Sequence, residues 1–207
     1  MLPRLACPRI EASLLPAGDW LSHASTLRLV DALSGASPEQ GTQLRAAWSA
    51  AAWHLRFDCV DNLHWATLRE RDAQLWTEEV VEVFIDPEGD GAGYFEIEVN
   101  PLGTVCDLVL RRIASGWRKD FSWQVEGLCA AAGLQPGGWW AELAIPFAAL
   151  TPAWPLPGTV WRAYFFRIDR PGGLAGSTAD RALSAWSPTG WASFHVPEKF
   201  GFIEFLP

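Results

Sequence analysis

At 207 residues with 49% hydrophobic side chains, the chain is long enough to bury a substantial core without disulfides or metals to staple it. Its net charge of -8, with the basic residues scattered, excludes the positive stripe that a nucleic-acid binder needs to track phosphates. No run approaches the roughly eighteen apolar residues required to span a bilayer, so a soluble chain with no nucleic-acid and no membrane partner is expected.

The opening MLPRLACPRIEASLL breaks its apolar residues with Pro3, Arg4, Pro8, Arg9 and Glu11 and does not resemble a secretory leader. The expected location is therefore the cytoplasm as written, or a secreted or periplasmic one if a leader precedes this sequence. Residues 1–40 carry the weakest pattern and are expected to form a loop-rich edge of a single domain covering 1–207. Strand signals then recur along the chain: LRLV near Leu27, TQLRAAW, AAWHLRFDCV, VVEVFID, YFEIEV, TVCDLVL, the region around Trp123, GWWAELAIPF, VWRAYFFRID and FGFIEF. Turn residues such as Gly35, Pro87, Gly89, Pro101, Gly103, Pro136 and Gly137 separate them. Short strands so punctuated predict an all-β sandwich or barrel. One helical turn is expected at Phe147–Leu150, after Pro146.

The most informative stretch is LWTEEVVEVFIDPEGDGAGYFEIEVNPLGTVCD. Val81, Val83 and Ile85 alternate with Glu82, Phe84 and Asp86, and Phe95, Ile97 and Val99 alternate with Glu96, Glu98 and Asn100. One face can enter a core, while the other presents carboxylates and an amide suited to hydroxyl-rich ligands. His54, Arg56 and Asp58 alternate in the same way and could join that face. A solvated polar sheet face accounts for the alternation equally well. A sugar site needs an aromatic plate for the C–H faces of a ring and polar groups for its hydroxyl rim. Trp53, Trp139 and Trp161 share parity with apolar neighbours and read as core, whereas Trp76, Trp186 and Trp191 lie among polar or turn residues and are the platform candidates.

The turn DPEGDGAG sets Asp86, Glu88 and Asp90 at alternating positions, an oxygen-rich arrangement suited to calcium, although it is not an EF-hand. Two of Glu82, Glu96, Glu98 and Glu142 could formally serve a glycoside hydrolase as acid and nucleophile. Nothing in the spacing selects a pair. There is no nucleophile elbow, phosphate loop or H-E-x-x-H motif, and Met1 is the only methionine, so neither a nucleotide nor a histidine–methionine haem is expected. Cys7, Cys59, Cys106 and Cys129 form no C-x-x-C pair and read as buried reduced thiols. His195, in SFHVPEKFG, reads as a hydrogen-bonding loop residue.

From about Ala52 onward, WHLRFDCVD, LWTEEVVEVFIDPEGDGAGYFEIEVNPLGTVCDL, GWWAELAIPFAAL, WRAYFFRIDR, AWSPTG and FHVPEKFG occur in an order that resembles the family 9 carbohydrate-binding modules. The resemblance implies a β-sandwich of jelly-roll or immunoglobulin-like type that binds xylan or cellulose-type glycans, often beside a xylanase, and that is not itself catalytic. It implies a sugar held between two tryptophans, with polar side chains on its hydroxyls and calcium ions in the loops. Trp76 matches the first tryptophan, and Glu82 and Asn100 match polar positions near it. Phe194 stands where the second tryptophan is expected, with Trp191 three residues earlier as a substitute, and Glu98 stands where the family has an arginine.

These observations together predict an oligo- or polysaccharide receptor in which Trp76, with Trp186, Trp191 or Phe194, stacks on a sugar while Arg56, Glu82, Glu96, Glu98 and Asn100 bond its hydroxyls. The competing readings are a glycoside hydrolase and a sandwich interaction domain that has lost its ligand.

Overall fold

The structure is a computed structural model that describes residues 1–15, 18–176 and 180–207. In chain order its strands are β1 (Arg4–Cys7), β2 (Ser25–Arg28), β3 (Val30–Asp31), β4 (Thr42–Trp48), β5 (Ala52–Val60), β6 (Val80–Asp86), β7 (Gly93–Val99) and β8 (Val105–Ile113). There follow β9 (Gly116–Asp120), β10 (Cys129–Gln135), β11 (Gly138–Pro146), the one-turn α-helix α1 (Phe147–Leu150), β12 (Val160–Asp169), β13 (Ala182–Ala185) and β14 (Gly201–Phe205), with short 3-10 turns in the connections. Among the described residues they form two sheets. One runs β1-β14-β12-β6-β7-β8-β9, with β13 joining β12 to β3, and the other runs β10-β11-β5-β4-β2.

The sheets pack face to face as an all-β sandwich. Phe165 of the first sheet meets Trp53 and Phe57 of the second at ring-centroid distances of 5.7 and 6.4 Å. Cross-strand register carries that inner face sideways, since Phe165 lies opposite Val83 and Val83 opposite Ile97. The apolar half of the alternation on β6 and β7 is therefore the core half. Trp53, Trp139 and Trp161 are buried, as their parity implies.

Several boundaries differ from expectation, each for a physical reason. No strand forms at Trp123; the neighbouring strands are β9 and β10. The sequence of β10, CAAAGLQ, has little intrinsic β preference and is held by pairing with β11 across the Pro136–Gly137 turn, where Gly137 takes φ 78° as a type II turn requires. The first forty residues are not only loop. They hold β1, which pairs parallel with β14, as well as β2 and β3, which close sheet edges. His54, Arg56 and Asp58 do not join the polar face of β6 and β7, because β5 belongs to the other sheet. Of the four cysteines, Cys7, Cys59 and Cys106 are buried and Cys129 is exposed on β10.

At one end of the core lies Arg167, fully buried on the inner face of β12. Its Nη2 donates to Asp61 at 3.0 Å, Asp169 at 3.2 Å and Glu79 at 3.4 Å, and its Nη1 to the Val60 carbonyl at 2.8 Å. Burial pushes the Glu79 carboxyl up to about 9, against the opposing pull of the Arg167 guanidinium. Arg167→Met should cost about 3–5 kcal/mol in urea unfolding, because it strands buried carboxylates without a cation.

On the outer face of the second sheet, His54 is buried beneath Trp20 and bonds Ser49 Oγ at 2.9 Å. Burial pushes it from the ordinary 6.5 down to about 4. The unfolded chain protonates first, so the contribution is complete above pH 6.5 and is lost as pH falls towards 4. Between pH 7.5 and 5 the parent should lose about 2 kcal/mol more stability than His54→Gln, read from urea midpoints at both pH values.

Candidate functional site

Glu82 on β6 lies directly opposite Glu98 on β7, and Phe84 lies opposite Glu96. Period two sends all of these side chains to the outer face of the first sheet. One oxygen from each of Glu82, Glu96 and Glu98 lies within 4.8 Å of the other two. The three residues are 3%, 2% and 0% exposed, so this is no solvated sheet face.

An aromatic layer covers them. Phe194 stacks on Phe166 with centroids 4.0 Å apart, and Phe166 is the cross-strand partner of Glu82. His195 stacks on Phe84 at 5.5 Å, lies 2.8 Å from the Tyr94 hydroxyl through Nδ1 and 3.0 Å from Lys119 Nζ through Nε2. The ammonium donates to Nε2, so the ring proton sits on Nδ1 and is donated to the Tyr94 oxygen. Burial and the Lys119 charge push His195 down to about 4, and it is neutral at physiological pH. Trp76 closes another side, with Lys119 Nζ 5.6 Å from its ring centroid and Phe121 packed at 6.2 Å.

Between these groups is a cleft of about 220 Å³, lined by Trp76, Glu82, Glu96 and Lys119, by Arg181 and Ser193, and by apolar atoms of Ile168, Leu183 and Phe194 among others. Burial, then Glu96, pushes the Glu82 carboxyl well above the usual carboxylate range, and burial, then Glu82 and Glu96, does the same to Glu98. Glu96 is raised by burial, with Lys119 opposing. Both oxygens of Glu98 and Oε2 of Glu96 accept no hydrogen bond from any donor among the described residues. The Glu96 and Glu98 carboxyls also act on each other's titration.

The remaining sequence-derived candidates lie elsewhere or are differently employed. Asn100 is buried and shapes the turn after β7: Oδ1 accepts from Leu102 and Thr104 N–H at 3.0 and 2.9 Å, while Nδ2 donates to the Leu68 carbonyl at 2.9 Å. Arg56 lies on β5, paired with Asp58 and Glu142 and set 4.3 Å from the Trp140 ring. Trp186 is in the core, 5.4 Å from Phe165 and against Gly201, where a Cβ would fall 2.2 Å from the indole. Trp191 is 65% exposed, immediately before the 192–195 segment that lines the cleft. In the hairpin turn Asp86 accepts from Gly89 and Gly91 N–H at 2.7 and 2.9 Å, and Asp90 accepts from Ala92 N–H. Those carboxylates, with Glu88, staple and decorate the turn. The two clusters among the described residues that bring three carboxylate oxygens within 4.8 Å are Asp61, Glu79, Asp169 and Glu82, Glu96, Glu98.

Lys119 and Arg181 escaped sequence reasoning. For Lys119 a signal existed, since GWRKD read as a strand sets Trp117 and Lys119 on one face, and Trp117 does meet Tyr94 at 5.1 Å.

A two-sheet sandwich with an indole, carboxylates and cations gathered in one cleft is the build of a carbohydrate-binding module. A family model described as carbohydrate family 9 binding domain-like matches residues 19–206, and the chain belongs to that family. Its fold is similar to that of a candidate carbohydrate-binding protein of Bacteroides uniformis, with a TM-score of 0.77 and 18% identity over 99% of this chain and 100% of the other. It is also similar to a family 9 module of Caldicellulosiruptor kristjanssonii in complex with glucose, with a TM-score of 0.61 and 15% identity over 98% and 95% of the two chains. A structure of a family 9 module from the same organism with cellotriose gives 0.58 and 17% identity over 99% and 94%. No curated protein matches the chain significantly.

The two aromatic candidates near residue 194 differ in what they touch. Phe194→Ala should cost about 3 kcal/mol in denaturant unfolding because it empties the stack on Phe166, whereas Trp191→Ala should stay within about 0.5 kcal/mol.

Proposed function

We propose that the protein is a noncatalytic receptor for a β-glucan or xylan-type sugar, held in the Trp76 cleft. The observation that carries this reading is the joining of one partly exposed indole to buried carboxylates and two cationic side chains around a single opening. The indole offers a plate for the C–H face of a ring. Lys119 and Arg181 supply donors, and Glu82 and Glu96 supply acceptors. At about 220 Å³ the cleft is smaller than the roughly 300–1,000 Å³ of a drug-sized site and suits one terminal ring better than a long run of chain. The glucose and cellotriose complexes of the Caldicellulosiruptor modules support glucose units as the first ligands to try.

A hydrolase reading has less support. A glycosidase sets its carboxyl groups on either side of the scissile bond, at roughly 5–5.5 Å or 6.5–9.5 Å. Here the carboxylates converge on one face with oxygens within 4.8 Å, and Glu142 is occupied by Arg56 on the other sheet.

Calorimetric titration with glucose, cellotriose, xylose and xylotriose tests the reading. We expect saturable heat for at least one of them and a loss of at least tenfold in affinity, about 1.4 kcal/mol, in Trp76→Ala. Unchanged affinity in that variant would place the site elsewhere.

A further inference from the structure

Among the described residues the chain buries two sets of three carboxylates, and it resolves them differently. Around Asp61, Glu79 and Asp169 the Arg167 guanidinium reaches all three at 3.0 to 3.4 Å. Around Glu82, Glu96 and Glu98 no guanidinium or ammonium forms an ion pair, among the described residues, within 4.0 Å of any carboxylate oxygen; His195 Nδ1, 3.8 Å from Glu96 Oε2, already donates to Tyr94. Both oxygens of Glu98 and one of Glu96 are buried and without a donor.

We propose that Glu82, Glu96 and Glu98 form a site for a hard divalent cation of the calcium class, and that the bound cation helps hold the sugar by its hydroxyls. The second half rests on the sugar-receptor reading above; the first does not. Two oxygens bound to one calcium at roughly 2.3–2.6 Å lie at most about 5 Å apart, and the triad meets that limit. The donor set is all oxygen, which favours a hard ion over zinc or copper. Three ionised carboxylates carry -3, which Lys119 and Arg181 at the cleft only partly offset, so the triad favours a cation. Glu82 and Glu96 line the cleft, so the ion has a path in from solvent. Calcium takes about six to eight oxygens, so three carboxylates leave positions that water or a vicinal diol can fill.

The test uses the full chain stripped of metal with chelator. Calorimetric titration with calcium chloride should give one saturable site, weakened at least tenfold in Glu98→Gln and unchanged in Asp90→Ala, which touches only the hairpin turn. Affinity of the parent for cellotriose should fall at least tenfold in EDTA and return with calcium, a comparison that needs no variant to fold. No calcium heat up to about 10 mM, beyond the roughly millimolar range of weak extracellular sites, would overturn the cation site. Calcium binding indifferent to Glu98→Gln would overturn it equally. Equal cellotriose affinity with and without calcium would overturn the role in recognition while the receptor reading stands. Calcium binding at Glu98 with no heat from any sugar would uphold the cation site and sink the receptor reading.

Discussion

In β6 and β7 the rule that a strand sends alternate side chains to opposite faces meets a sandwich that has already claimed one of those faces. Val81, Val83 and Ile85 with Ile97 and Val99 must face the second sheet, because there they join Phe165, Trp53 and Phe57. A one-residue slip would send every one of them outward and drive the carboxylates into the core. Glu82, Glu96 and Glu98 are thus fixed side by side on the outer face by apolar residues that point the other way. The cleft is a by-product of the core's register.

That outer face is closed by a second set of aromatic residues. Phe84, Tyr94, Phe166, Phe194 and Phe200 pack over the first sheet, with His195 stacked among them. The layer removes water from the carboxylates, and so it raises the free-energy cost of any charge there and sharpens whatever interaction answers that charge. A solvent-facing polar sheet would give each carboxylate its own hydration and bind nothing tightly. Here the aromatic cover denies the acidic residues that hydration.

The residues differ in how far they could be read in advance. Period two assigned the inner and outer halves of β6 and β7, because alternation survives any sandwich geometry. The helical turn at Phe147–Leu150 follows from Pro146 and the end of a strand. Arg56 and Asn100 show the limit of the same rule. Each has the right parity, but parity names a face of a strand and not which sheet or turn the strand belongs to. Trp186 sits in a segment rich in polar and turn residues, yet the bare backbone of Gly201 on a neighbouring strand lets its ring lie in the core. Lys119 was hidden because GWRKD is short and half charged, and its strand exists only through pairing with β8.

The parallel pairing of β1 with β14 has a consequence for the order of events during synthesis. Arg4 lies opposite Phe202 and Cys7 opposite Phe205, so β1 takes its place only once β14 has been made. Trp48 likewise donates its indole N–H to the Leu206 carbonyl. Until β14 has been made, β1 is unpaired and the edge of β12 that β14 covers stays bare. Such distant partners slow folding and prolong the exposure of sticky strand edges. A chain that lacks β14 is therefore the form most prone to aggregation, and a truncation at residue 200 would leave it in that state.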